Sequence, residues 1–174
     1  MNYADIKNYD VANGPGVRVS LFVSGCNHHC KGCFNAEAQD FNYGKTFTDE
    51  TIDTIIEYMS KPYIKGLTLL GGEPMDPKNQ PALLPLVKKV KETYPDKTIW
   101  CFTGYLFDKN IIDDMCKNLP HTRELLSYID MIVDGPFVLE LKNLNLVFKG
   151  SSNQRTIKVQ ESLESGTVVL WERN

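Results

Sequence analysis

The sequence predicts an α/β protein in which parallel strands and flanking helices form an incomplete, TIM-like β/α barrel. Short runs rich in β-branched and aromatic residues alternate with segments of helical periodicity, as in a parallel sheet covered by helices. Glycines follow the candidate strands, where a barrel places its ligand-binding loops. A closed barrel takes about 250 residues. This chain has 174, so we expect an arc of strands with one open side.

The predicted strands are short apolar runs, of which the last is the weakest: 17–23, 67–70, 98–102, 129–133 and 146–148. Each is followed within a few residues by a glycine: Gly25, Gly71 with Gly72, Gly104, Gly135 and Gly150. Because these junctions recur along the chain, they predict loops that share one ligand site.

The segments between the strands have the spacing of amphipathic helices. Ile52, Ile55, Ile56 and Met59 repeat on one face after Thr48, which is a suitable N-cap. The other helices are predicted at 83–94, 109–117 and 123–128. Their apolar faces are expected to pack on the sheet.

The composition limits the classes of function. Hydrophobic residues make up 42% and charged residues 24% of the chain, which is typical of a soluble globular domain, here taken as 1–174. The net charge of −3 argues against nucleic-acid and membrane-surface binding. The sequence has no apolar run of membrane-spanning length and no secretory pattern in its first residues, so we expect a cytoplasmic protein.

The most informative local feature is a loop, residues 24–35, that carries Cys26, Cys30 and Cys33 without a fourth cysteine nearby. We call it the three-cysteine loop. Structural zinc sites and simple electron-transfer iron–sulfur sites close with four protein ligands. Three thiolates therefore predict a metal position that is open to another molecule. Cys101 lies in a predicted strand and Cys116 in a predicted helix, and both are expected to be buried apolar residues.

The spacing Cys-x3-Cys-x2-Cys after the first strand resembles the signature of the radical S-adenosylmethionine superfamily. The resemblance implies the radical SAM fold, a 4Fe–4S cluster on Cys26, Cys30 and Cys33, and S-adenosylmethionine chelated to the fourth iron. One electron from the reduced cluster would then break a C–S bond, giving methionine and a 5′-deoxyadenosyl radical that abstracts hydrogen. Because the cofactors carry this chemistry, no side chain is expected to act as a catalytic acid or base.

The same resemblance implies cofactor contacts near three other strand ends, at 71–74, 103–105 and 134–136. Gly71, Gly72 and Glu73 match the segment that binds the amino group of S-adenosylmethionine, whose N–H donors suit carboxylate and carbonyl oxygens. Thr103 and Asp134 are predicted to bond the ribose or the carboxylate of the cofactor, and loop capping is the equal alternative.

The three-cysteine loop holds further candidates. Superfamily members often carry an aromatic residue just before the last cysteine, near the adenine. Here Gly32 and Phe34 flank Cys33, and they are predicted to contact the adenine. His28 and His29 either hydrogen-bond near the cluster and tune its potential or are exposed loop residues.

Several segments resemble the glycyl-radical-enzyme activases, and in particular those of anaerobic ribonucleotide reductases: 13–18, 24–26, 34–35, 100–105, 134–137 and 148–155. The resemblance implies hydrogen abstraction from a glycine α-carbon in the large subunit of the reductase. It also implies a flavodoxin-like or other low-potential electron donor. The open side of the barrel would admit the glycine-bearing loop. Segment 150–155 is either a docking surface for the reductase or a solvated turn, and Trp100 and Tyr105 either line the substrate mouth or belong to the core.

Three other functions remain open from the sequence. The first is activation of a different glycyl-radical enzyme, and the second is radical chemistry on a small metabolite. The third is a closed metal-binding or electron-carrier site, in which His28 or His29 supplies the fourth ligand.

Overall fold

The computed structural model describes residues 1–172, which form one seven-stranded mixed sheet with helices. The strands are β1 (Asn2–Asp10), β2 (Val17–Val23), β3 (Lys45–Thr46), β4 (Ile64–Gly71), β5 (Thr98–Phe102), β6 (Met131–Asp134) and β7 (Arg155–Lys158). The helices are α1 (Asp49–Tyr58), α2 (Gln80–Thr93), α3 (Cys116–Asn118), α4 (Thr122–Tyr128) and α5 (Val159–Ser165). A π-helical segment, Phe107–Met115, leads into α3, and short 3-10 turns lie at Ala36–Gln39 and Leu139–Leu141.

The strand order across the sheet is β3-β1-β2-β4-β5-β6-β7. The four strands from β2 to β6 in this order are parallel, which confirms the predicted parallel arrangement at the centre of the sheet. The outer strands were not predicted, and they run antiparallel to their neighbours: β3 to β1, β1 to β2, and β7 to β6. The architecture is therefore α/β with a mixed sheet.

The two faces of the sheet have different surroundings because side chains alternate along each strand. Leu21 and Leu69 are register partners, and they belong to the core that the helices cover. Phe22 and Leu70 are the next partners, so their side chains face the opposite side, where a cavity of about 570 Å³ lies. Phe102 of β5 lines the same cavity. The helices thus bury one face, and the cavity lies on the other beside a small cluster of Trp100, Met131 and Val133.

The predicted helices are confirmed, with ends that shift by a few residues. Thr48 caps α1 as expected, because its side chain accepts a hydrogen bond from the N–H of Thr51. The predicted helix at 109–117 corresponds to the π-helical segment followed by α3. Helix α2, with 14 residues, is the longest, and none of the helices within residues 1–172 is long and apolar enough to cross a membrane.

The predicted strand at 146–148 is wrong. These residues form an irregular segment, and Phe148 has a φ of 54°, which a strand residue cannot adopt. The apolar run has another role, because the ring of Phe148 packs against Trp100 and Trp171. The expectation for the isolated cysteines is confirmed, since Cys101 and Cys116 are both buried in the core.

Candidate cluster and cofactor site

The three-cysteine loop follows β2 at the carboxyl end of the parallel strands. Cys26, Cys30 and Cys33 are all partly exposed and line the same cavity of about 570 Å³. Residues 71–73, at the end of the neighbouring strand β4, line it too. The structure therefore brings together the two motifs predicted from the sequence. The cavity has the size of an ordinary cofactor pocket.

Backbone N–H groups point at two of the sulfur atoms. The N–H of His28 lies 3.4 Å from Sγ of Cys26, and the N–H of Asn35 lies 3.4 Å from Sγ of Cys33. Burial raises the pKa of the Cys26 thiol to about 11, and the negative charges of Glu73 and the other two cysteines add to this rise against the opposing effect of the His28 N–H. N–H donors of this kind stabilise thiolates and tune iron–sulfur clusters.

The donor set fits a cluster better than a single ion. Within residues 1–172, no three His, Cys, Asp or Glu side chains are arranged around one metal-ion position. In a cubane each thiolate ligates a different iron, so three thiols that line one cavity suit it. Cys26, Cys30 and Cys33 would hold such a cluster and leave its fourth iron to the cavity.

The root of the three-cysteine loop is fastened to the turn after β4. The N–H of Gly72 donates to the carbonyl of Val23 at 2.7 Å, and the N–H of Glu73 donates to the carbonyl of Gly25 at 2.8 Å. Asn79, just before α2, is buried and adds side-chain hydrogen bonds to the carbonyls of Ser24 and Glu73, at 3.1 and 3.0 Å. The two loops are therefore one structural unit.

Glu73 is 1% exposed, and four donors surround its carboxylate. Oε1 accepts hydrogen bonds from the Thr103 hydroxyl at 2.7 Å and from the N–H of Met75 at 2.8 Å. Oε2 accepts from the N–H of Gly104 at 2.7 Å and contacts Nε2 of His28 at 2.8 Å. Because a carboxylate offers about four lone-pair sites, the protein itself occupies all of them.

The two histidines of the loop have different environments. His28 is half-buried and pairs with Glu73, whose hydrogen bond raises the pKa of the imidazole despite the opposing effect of burial. His29 is exposed, and its Nδ1 lies 3.0 Å from Oε1 of Gln39. Both rings therefore have hydrogen-bonding partners other than the thiols.

Thr103 and Asp134 are both buried, and both make contacts within the fold. The Thr103 hydroxyl lines the cavity but is engaged with Glu73 and with the N–H of Tyr105. The carboxylate of Asp134 accepts from Arg155 at 2.6 and 3.1 Å and from the N–H of Phe107 at 2.8 Å. These contacts favour the capping alternative, while the cofactor contacts stay predictions.

The predicted adenine contacts lie on opposite sides of Cys33. Phe34 is 61% exposed, lines the cavity, and packs against Phe137 with ring centroids 4.9 Å apart. Gly32 lies beside Leu139 instead, and a Cβ added to it would come within 3.0 Å of that side chain. Phe34 is therefore the better placed of the two for a flat ring in the cavity.

Trp100 belongs to the aromatic cluster with Phe148 and Trp171 and is 2% exposed, which favours the core alternative. Tyr105 packs against the core and against the ring of His28. In segment 150–155, Ser151 is fully buried and Arg155 forms ion pairs with Asp108 and Asp134. These contacts tie the segment to the rest of the fold, and its role as a docking surface stays a prediction.

Two contributors to the site were missed from the sequence. Asn79 ties the loop root to the turn after β4, and the only signal for it is a polar residue just before a helix. Phe22, Leu70 and Phe102 form the apolar wall of the cavity. Their alternation with core residues along each strand could have indicated that both faces of the sheet are covered.

Comparison with known proteins agrees with this geometry. Residues 12–157 match the family described as a 4Fe-4S single cluster domain. Curated proteins named anaerobic ribonucleoside-triphosphate reductase-activating protein are also similar to the chain. The one from Enterobacteria phage T4 is 43% identical over the full length of both chains. The one from Haemophilus influenzae is 44% identical over 88% of this chain and 96% of its own, and that from Escherichia coli K12 is 40% identical over the same shares.

Proposed function

The chain belongs to the family of anaerobic ribonucleoside-triphosphate reductase-activating proteins, and on this premise we propose that it installs the glycyl radical of such a reductase. When bound, a 4Fe–4S cluster and S-adenosylmethionine supply the radical that takes hydrogen from the α-carbon of a glycine. The products are 5′-deoxyadenosine, methionine and a carbon-centred radical on the large subunit. A glycine has no side chain to obstruct a close approach.

One observation carries the proposal: three thiols without a fourth line the same cavity as the turn that contains Gly71, Gly72 and Glu73. A cluster held there would have one iron without a protein ligand, and the cavity of about 570 Å³ is of the size that cofactors occupy. A closed electron-carrier site would need a fourth protein ligand. His28 and His29, the nearest candidates, are directed at Glu73 and Gln39.

We assign the fold to the incomplete β/α barrels of the radical SAM type. The assignment is supported by the four parallel central strands and by a functional loop at the carboxyl end of β2. It is also supported by the cavity on the face that the helices leave uncovered. Within residues 1–172, the end strands β3 and β7 do not pair with each other, as an open arc requires.

The residues that bind the cofactors follow from their positions. Cys26, Cys30 and Cys33 would hold the cluster. The turn at 71–73 would receive the methionine end through its backbone carbonyl oxygens, which accept hydrogen bonds from an ammonium group, while the carboxylate of Glu73 is already held by four donors of the protein. Phe34, with its exposed ring at the cavity, would pack on the adenine.

The glycine-bearing loop of the reductase would enter at the mouth of this cavity. The irregular segment 136–150 forms one side of the mouth and carries exposed apolar residues, among them Leu144, which is 86% exposed. Exposed apolar surface beside a cavity is typical of a protein-binding site. The electron would come from a flavodoxin-like or other low-potential protein, and the reaction would take place in the cytoplasm, where cysteines stay reduced.

The direct test is electron paramagnetic resonance of the large reductase subunit after anaerobic incubation with this protein, S-adenosylmethionine and dithionite. We expect a doublet from a glycyl radical together with release of 5′-deoxyadenosine. The signal should disappear when S-adenosylmethionine is omitted or when the reductase glycine is replaced by alanine. Release of 5′-deoxyadenosine without a radical on the reductase would point to another glycyl-radical enzyme or to a metabolite as the target.

A further inference from the structure

We propose that His28 is a positioning residue that fixes the three-cysteine loop to the turn after β4 by holding the carboxylate of Glu73. The inference rests on the proposed function, because it concerns how the cluster and the cofactor are brought together. The contact is short, with 2.8 Å between Nε2 of His28 and Oε2 of Glu73. It lies mostly away from solvent, since the two side chains are 20% and 1% exposed.

Glu73 is the meeting point of three segments of the chain. Thr103 and Gly104 approach it from the end of β5, and the N–H of Met75 approaches from its own turn. His28 is the donor that comes from the three-cysteine loop. The imidazole therefore supplies the link between the loop that would hold the cluster and the carboxylate that organises the other two segments.

Other contacts hold the loop at its edges. The N–H of Gly25 donates to Ala38 and the N–H of Cys26 donates to Gln39, so the start of the loop rests on the 3-10 turn Ala36–Gln39. Asn27 is exposed, and its amide reaches Asp76 at 3.1 Å. Asn79 and the N–H of Glu73 fasten the root of the loop, at Ser24 and Gly25. Between the cysteines, His28 supplies the less exposed link, and a charge-assisted hydrogen bond is stronger where water is largely excluded.

The end of β5 is shaped to receive the imidazole. A Cβ added to Gly104 would lie 2.6 Å from Cδ2 and 2.7 Å from Nε2 of His28, so any larger residue would push the ring away. The ring of Tyr105 also meets the imidazole edge to face, with centroids 4.5 Å apart. The ring is therefore fixed by packing as well as by its hydrogen bond.

Because of its position in the chain, His28 can restrain the part of the loop that carries the thiols. It lies two residues from Cys26 and two from Cys30, so fixing its ring restrains the part of the loop that carries both thiols. A restrained loop would hold the cluster at a set distance from the turn at 71–73, and such preorganisation would favour binding of the cofactor. Loss of the link should weaken cofactor affinity.

The alternative assignment for Glu73 predicts the opposite result. If Oε2 bound the ammonium group of the cofactor directly, His28 would have to leave, because four donors already occupy the carboxylate. Removing His28 would then free an acceptor, and the cofactor would bind as well as before or more tightly. The sign of the change in affinity therefore separates the two roles.

The experiment compares His28→Leu with His28→Gln, because the glutamine amide can take the place of Nε2 and leucine cannot. The dissociation constant of S-adenosylmethionine is measured on the cluster-loaded protein without reductant, together with iron and sulfide content. We expect roughly tenfold weaker binding in the leucine variant, the value of one hydrogen bond to a charged group. Glutamine should restore most of the affinity. His29→Asn is the matched control, since asparagine tolerates the positive φ of His29, and it should bind normally.

The outcomes decide the inference separately from the proposed function. Unchanged or tighter binding in His28→Leu overturns it, and so does a glutamine variant as weak as the leucine variant. If leucine prevents cluster assembly, the same comparison is made on iron content, which glutamine must restore. In a Glu73→Gln background, His28→Leu should weaken the binding of S-adenosylmethionine little further, because the two substitutions remove the same contact. Failure of the wild-type protein to bind S-adenosylmethionine would instead reject the proposed function, and this inference with it.

Discussion

A Cβ atom on Gly72 would lie 2.6 Å from the carbonyl oxygen of Gly25, so the turn after β4 and the three-cysteine loop touch through backbone alone. Together with the hydrogen bonds from Gly72 to Val23 and from Glu73 to Gly25, this contact makes the second glycine a packing requirement. The Gly-Gly-Glu motif thus has a structural reason that is independent of any bound molecule.

Replacement of Gly72 by alanine should therefore separate the two loops. We expect a loss of about 1–3 kcal/mol in the free energy of unfolding, the usual cost of overpacking, and a lower iron content after reconstitution. Thermal denaturation and iron analysis measure the two effects. Gly166→Ala is the control for iron loading: its φ of 74° makes alanine lower the stability there too, but its added methyl group meets nothing within 4 Å, and it should load normally with iron. A fully loaded Gly72→Ala protein would contradict the packing argument.

Replacement of Cys30 by alanine should abolish the cluster and leave the fold intact. Cys30 is partly exposed at the cavity, so its loss removes a ligand without opening a core void. Iron and sulfide content, 5′-deoxyadenosine release and circular dichroism are the measurements. Cys101→Ala, at a buried position, should keep its iron. Undiminished cofactor cleavage in Cys30→Ala would show that this residue is not a ligand.

Asp134→Asn tests whether this carboxylate supports the fold or the cofactor. Asp134 is fully buried and paired with Arg155, and removal of its charge leaves the cation with the partly exposed Asp108 as its remaining partner. We expect a loss of about 2 kcal/mol in unfolding free energy, somewhat below the range for a wholly buried pair. The affinity for S-adenosylmethionine should be unchanged. A large loss of affinity would instead support the cofactor contact predicted from the sequence. Asp108→Asn removes the more exposed partner of Arg155 and should lower the free energy of unfolding by less than about 1 kcal/mol.

Asp10 should make the protein sensitive to acid. Burial alone would raise the pKa of its carboxyl, but hydrogen bonds from Asn13, Ser20 and the N–H of Ala12 outweigh this effect and lower the pKa below 3.8. A carboxyl with a lowered pKa in the folded state stabilises the fold above its unfolded pKa. That stabilisation is lost as the pH falls through the folded value.

Urea denaturation of the cluster-free protein, once circular dichroism confirms its fold, measures this effect between about pH 5 and about pH 3. The stability of Asp10→Asn should fall less over this range than that of the wild type. Ser20→Ala removes one of the donors, at 2.7 Å, and should give an intermediate slope. Equal slopes in all three proteins would mean that Asp10 does not carry the acid sensitivity.

The sequence predicts the centre of this molecule better than its edges. The parallel strands are mostly buried, because helices cover one face and the cavity lies on the other, and their runs of β-branched and aromatic residues are easy to recognise. Strand β1 is mostly polar and exposed, and β7 is only four residues long, so neither has a distinct pattern. The apolar run 146–148 was mistaken for a strand because its residues line the cavity and pack on Trp100.

In the candidate site, too, some features can be predicted from the sequence and others cannot. The spacing of Cys26, Cys30 and Cys33 is local in sequence, and the structure gathers them as predicted. The contact of His28 with Glu73 joins residues that are 45 positions apart, and no local pattern reports it. Asp134 and Thr103 look alike as polar residues at strand ends. Tertiary contacts with Arg155 and Glu73 decide what each does.

Phe22, Leu70 and Phe102 form an apolar wall along one side of the cavity. These side chains offer water no hydrogen-bonding partner. A charge near this wall of the cavity is therefore screened less than a charge at the surface, and it acts on its neighbours over a longer range. A reactive carbon radical also meets little solvent on that side. The apolar side chains on this face of the sheet thereby lower the local dielectric constant beside the reacting groups.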